Sequence, residues 1–108
     1  MDRKWIVTFY SKEVKRIVKK LPIGLLTRYA RLATLMEIYG PNLGMPHTKH
    51  LGKGLIELRL KSIEGIARIF FTVVLEEIII LHSIIKKTEQ IPPQDLNLAY
   101  KRLLELRK

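Results

Sequence analysis

Arg59 and Arg68 stand on either side of a short turn, Ser62 to Gly65. The segment before it, Ile56-Glu57-Leu58-Arg59-Leu60-Lys61, alternates strictly, with the apolar residues on one face and Glu57, Arg59 and Lys61 on the other. In the segment after it, Ala67, Ile69, Phe71 and Val73 share a face opposite Arg68, Phe70 and Thr72. Antiparallel pairing across the turn sets Arg59 beside Arg68, near Lys86 and Lys87 at the end of the next apolar run. Cations held together in this way can bind phosphate, arginine as a planar fork and lysine as a point charge. The same pattern also suits a solvated sheet face with Glu57 and Glu64 as counter-charges.

His47, His50 and His82 add groups that titrate near neutral pH and suit acid or base work. His47-x-x-His50 sits among Gly and Pro with no matching carboxylate or Cys, which argues against a metal site. His82, inside an apolar segment, reads equally as a hydrogen-bonded core residue. No Walker loop, Gly-x-Gly-x-x-Gly or serine elbow is present, so nucleotide-dependent enzymes and serine hydrolases have no support. The aromatic residues lack the paired pattern of an RNA-stacking sheet.

These groups need a scaffold, and the periodicities supply one. Trp5 to Tyr10 is β-branched and aromatic, which favours a first strand ending at Ser11, a good N-cap. Val14, Ile17, Val18 and Leu21 then form the apolar stripe of a short helix with a basic back. Pro22 opens a second helix striped by Leu25, Tyr29, Leu32, Met36 and Tyr39, and Gly40-Pro41 closes it. Residues 40–54 hold four Gly and two Pro, a composition that reads as a polar loop. Three strands follow, 56–61, 66–75 and 78–85, with a turn at Glu76-Glu77; the last is apolar on both faces, as a strand covered on both sides should be. Pro92-Pro93 starts a final helix with Leu96, Ala99, Tyr100, Leu103 and Leu106 as its stripe. The order β-α-α-β-β-β-α predicts one α+β domain over 1–108, a small antiparallel-rich sheet packed against an N-terminal helical hairpin and a C-terminal helix.

Composition agrees with a folded, anion-seeking domain. The 108 residues carry 20 Lys+Arg against 10 Asp+Glu, a formal charge of +10, and no Cys. Such a field attracts polyanions, and residues 1–54 hold most of the excess, with 11 basic and 3 acidic side chains. The absence of Cys removes disulfide scaffolds and Cys-based zinc modules. The longest apolar run, Ile78 to Ile85, is far below the ~20 residues that span a bilayer. With no signal-peptide pattern after Met1-Asp2-Arg3-Lys4, a cytoplasmic location without membrane partners is expected.

Several segments carry a resemblance when taken in order. They are Lys49-His50-Leu51-Gly52-Lys53-Gly54-Leu55-Ile56-Glu57-Leu58-Arg59, then Gly65-Ile66-Ala67-Arg68-Ile69-Phe70-Phe71, then Leu81-His82-Ser83-Ile84-Ile85-Lys86-Lys87-Thr88, and last Ile91-Pro92 with Ala99 and Arg102. Together they resemble the RelE/HigB toxins of bacterial toxin-antitoxin modules, within the RelE/ParE superfamily, whose fold also looks like the element order above. The resemblance implies a toxin that cleaves messenger RNA in the ribosomal A site, is silenced by a cognate antitoxin and requires no cofactor. It implies that Arg59 and Arg68 bind the scissile phosphate, with Lys86, Lys87 and the strand histidine His82 completing the catalytic set. Lys49, Lys53, His50 and Lys61 are then the RNA-binding residues.

Ile84 departs from the aromatic residue of many relatives, and the chain's end offers only Tyr100 and a basic tail where some toxins place a catalytic tyrosine or histidine. The general acid is accordingly unassigned. A ParE-like inhibitor of DNA gyrase and a non-catalytic basic nucleic-acid-binding domain are the competing readings, since the fold alone is shared with the first.

Overall fold

Ser11 starts the helical part of the chain as expected, its Oγ accepting from the N–H of Val14 at 3.2 Å. The computed structural model describes residues 4–86, excepting the Lys86 side chain, and residues 90–108. Its elements are β1 (Ile6–Phe9), α1 (Lys12–Lys19), α2 (Ile23–Tyr39), β2 (Thr48–Gly52), β3 (Leu55–Ser62), β4 (Gly65–Val74), β5 (Glu77–Lys86) and α3 (Pro93–Leu106). The strands form one sheet in the order β1-β5-β4-β3-β2, antiparallel except for the parallel pair β1 and β5. The α+β class, the helical hairpin and the C-terminal helix match the expectation from periodicity.

One strand does not match. Residues 48–52 lie in the segment whose Gly and Pro content reads as a loop, yet they pair with β3 as an edge strand. The glycines flank this strand instead of interrupting it. Gly52, Lys53 and Gly54 all have positive φ, at 107°, 55° and 88°, and make the tight turn that returns the chain into β3. An edge strand needs only one neighbour and can be polar on its open side, so hydrophobic patterning does not report it. The turn before β5 is likewise one residue earlier than expected, with Glu77 already in the strand.

The sheet is covered on both faces. On one, Val14 and Val18 of α1 and Leu25, Leu32 and Met36 of α2 pack over Leu58, Ile69, Phe71 and Ile80. On the other, Ala99 and Leu103 of α3 pack over Leu55, Phe70, Ile79 and Leu81. A bulge in β5 divides the two sets. Phe70 pairs with His82 and Phe71 with Ile80, leaving Leu81 as an extra residue. Beyond it the alternation is reversed, so His82 and Ile84 share the α3 side, where unbroken pairing would have sent them toward α1 and α2.

Pro22 at the N-cap of α2 has no side chain with which to accept a hydrogen bond. Glu64, in the β3–β4 turn, replaces it from a distance: its Oε1 accepts from the N–H of Leu25 at 3.1 Å and from the Ser62 hydroxyl at 3.3 Å. A carboxylate at this end also complements the helix dipole. Glu64→Ala should therefore lower stability by about 1 kcal/mol, seen as a lower urea midpoint at unchanged m-value, with Glu64→Gln retaining part of the loss.

Candidate nucleic-acid interface

Register places the candidate residues in cross-strand rows across the sheet. Lys61 and Lys86 pair with Ile66 from its two sides, Arg59 and Ile84 pair with Arg68, and Glu57 and His82 pair with Phe70. Lys49 of β2 stands opposite Glu57. Successive rows are about 7 Å apart, two residues along a strand.

Arg68 is the largest buried side chain among the described residues, at 2% exposure, and Glu57 beside it is at 3%. Nη1 of Arg68 donates to both Glu57 oxygens, at 3.1 and 2.9 Å. Nε of Arg59, a residue only partly covered, lies 3.9 Å from Glu57 Oε1. Two guanidinium groups thus converge on one carboxylate. The face is not the solvated surface with loose counter-charges that the alternation also allowed, because Glu57 is withdrawn from water with Arg68. An ion pair so placed gains little net stability against an apolar pair, but loss of either partner strands a buried charge.

Above this pair lies a cavity of about 150 Å³ lined by Met45, Pro46, His47, Thr48, Lys49, Leu51, Glu57, Arg59, Arg68 and Ile91. Its floor is the Glu57–Arg68 pair, its wall carries Arg59 and Lys49, and the loop before β2 brings His47. The loop is fixed at this point by the Arg59 N–H, which donates to the His47 carbonyl at 2.8 Å. The cavity therefore combines cationic donors that suit a phosphate with an imidazole that can carry a proton.

Other residues singled out by sequence fall elsewhere. His82 does not line the cavity: its ring stacks on Phe70 with centroids 6.2 Å apart, and Nε2 lies 2.8 Å from Asp95 Oδ1 of α3. His50 faces the opposite way along β2, with Nε2 2.6 Å from Asn42 Oδ1, in a separate cavity with Trp5 and Arg107. Lys53 sits in the β2–β3 turn, where its carbonyl accepts from Arg107. Lys87 and the Lys86 side chain lie outside the described residues.

The last helix holds the site together from behind. Besides Asp95 on His82, Arg102 donates to the Leu81 carbonyl at 2.6 Å, and the Tyr100 hydroxyl stands 3.1 Å from the carbonyls of both Leu51 and Gly52. Arg102 also covers the Tyr10 ring, 5.3 Å from its centroid. The Tyr10 hydroxyl donates to Glu105, and this hydrogen bond is the main reason the phenol's pKa is raised. Met45, Pro46 and Ile91 are not legible in the sequence as site residues, since each reaches the cavity through a loop that no local spacing encodes, and Asp95 meets His82 outside the cavity through the packing of α3.

The model of the family described as "Phage derived protein Gp49-like (DUF891)" matches residues 16–104, which include every residue lining the cavity. No curated protein matches the chain. Among solved structures, the chain is similar to a chain of the archaeal RelE-RelB complex from Pyrococcus horikoshii OT3, at 18% identity and a TM-score of 0.57 over 81% of this chain and 99% of that one. This likeness shows a RelE-like fold, as the sequence segments imply.

The buried pair makes a direct prediction. Glu57→Ala should cost about 3–5 kcal/mol, because it leaves the Arg68 guanidinium buried without its carboxylate, whereas the double change Glu57→Leu with Arg68→Met should recover most of that loss. Urea unfolding of the single and double variants measures it.

Proposed function

The chain belongs to the phage-derived Gp49-like family, and from that premise we propose that it is the toxin of a toxin-antitoxin pair, a nuclease that cuts messenger RNA on the ribosome. The observation that carries this reading is the cavity in which Arg59, Lys49 and His47 stand over the Glu57–Arg68 pair. The RelE-like fold supports it, as does the +10 charge, which suits a polyanionic target.

The chemistry proposed is attack by a ribose 2′-oxygen on the adjacent phosphorus. The bond from phosphorus to the 5′-oxygen breaks, leaving a 2′,3′-cyclic phosphate. One proton leaves the 2′-hydroxyl and one is delivered to the departing 5′-oxygen. Arg59 and Lys49 bind the phosphate oxygens, where charge increases in the transition state. Arg68 holds Glu57 and adds its field from below. His47 carries one of the two protons. Lys86, the last residue of β5, and Lys87, next to it in sequence, add positive charge, while His82 acts as a positioning residue by fixing α3 through Asp95. In this reading the protein works in the cytoplasm, where its substrate is, and a cognate antitoxin keeps it silent.

Induction in cells, followed by primer extension on abundant messages, tests the proposal. Wild type should produce discrete cuts within translated codons, and Arg59→Ala should reduce them about 100-fold. His47→Gln should also slow cleavage in a purified ribosome assay, by roughly the loss general acid-base catalysis supplies. Growth arrest with intact messages and damaged DNA would overturn the nuclease in favour of a gyrase inhibitor. Absence of arrest, with salt-sensitive binding alone, would leave a non-catalytic nucleic-acid-binding domain.

A further inference from the structure

The Pro46-His47 segment separates two cavities, and among the described residues no carboxylate lines the second. That cavity, about 210 Å³, is lined by Arg28, Leu32, Pro46, His47, Arg59 and Lys61. It shares Pro46, His47 and Arg59 with the first, so the two are contiguous around one loop. Arg28 comes from α2 and Lys61 from β3, both exposed. Two unrelated elements thus bring cations to one concavity, with no acidic residue in its lining among the described residues.

Strand geometry adds a fixed donor. Pairing with β2 ends at Thr48 and Leu58, and the next N–H toward that side, from Arg59, goes to the His47 carbonyl at 2.8 Å. Residues two apart in a strand direct their N–H groups to the same side. The Lys61 N–H therefore points from the same edge after the neighbouring strand has ended, and among the described residues no backbone carbonyl meets it. A guanidinium, an ammonium and an open backbone N–H at one concave edge match the oxygens of a phosphate better than a single carboxylate.

We propose that this edge cavity is a second phosphate site, taking the phosphate next along the same single-stranded RNA whose neighbouring phosphate occupies the first cavity. Arg59 and Lys61 are about 7 Å apart along the strand, a step comparable to that between successive phosphates of an extended chain. The proposal rests on the nuclease reading for the identity of the nucleic acid. The binding of two phosphates is testable without cleavage.

The test is an NMR titration of the full chain with 2′-O-methyl oligoribonucleotides carrying either one or two bridging phosphates. In wild type the second phosphate should tighten Kd about tenfold, and in Arg28→Ala that gain should fall below about twofold while the one-phosphate probe binds nearly as before. Arg28→Lys should keep part of the gain, and the salt slope for the longer probe should drop by about 1 in Arg28→Ala. Equal weakening of both probes, or no change in either, overturns the second site, the former showing only a long-range field. Lys49→Ala, at a residue that lines the first cavity and not the second, separates the two claims: a one-phosphate probe that binds it as tightly as wild type would sink the first-cavity reading, while the gain at Arg28 would still report the second site.

Discussion

Burial of a guanidinium at the centre of a sheet is possible only if a carboxylate is buried with it. Arg68 lies on β4, between β3 and β5, and is 2% exposed. Its cost in desolvation is offset by the two hydrogen bonds to Glu57, one strand away. Much of the α3 side of the sheet is arranged around this pair. Phe70 and Ile84 fill the neighbouring register positions, the loop before β2 covers it from above, and Arg59 uses the remaining field of the same carboxylate. One acid therefore permits two arginines to stand side by side, and the local charge stays positive where a phosphate is to bind.

The pair also needs a rigid surround, and α3 provides it through polar contacts more than through area. Ala99 and Leu103 bury the helix, but its angle is set by Asp95 on His82, Arg102 on the Leu81 carbonyl and Tyr100 on the β2–β3 hairpin. Arg107 extends that hold to the Lys53 carbonyl. Each partner of the helix is a backbone or side-chain group of a strand or of the turn that joins two strands, so the helix reads the strand positions and resists sliding. The hydrogen bond from Tyr10 to Glu105, which raises the phenol's pKa, ties the same helix to the end of β1.

Placing both cavities at one end of the sheet follows from unequal strand lengths. β2 has 5 residues and β3 has 8, so the last part of β3, paired with β4 on one side, has no strand on the other. The loop from Gly40 to His47 fills this gap only partly, leaving concave ground on each side of Pro46-His47. Most of the acidic side chains of the region are engaged in structure, Glu57 under Arg68 and Glu64 at the start of α2, which leaves the cations facing outward.

The sequence by itself determined the α+β class, the two helices of the hairpin with the Ser11 cap, the strand alternation around Arg59 and Arg68, and the basic excess. These are properties of local periodicity, capping and composition, which act within a few residues. It also carried the segments that resemble RelE/HigB toxins. Only the tertiary structure decided that residues 48–52 are an edge strand, because an edge strand is defined by its neighbour. It alone decided the bulge at Leu81, which turns His82 away from the α1 and α2 face and toward Asp95. Burial of Arg68 and Glu57 and the meeting of Arg28 with Lys61 belong to the same class: each depends on how separate elements pack, and no spacing along the chain encodes it.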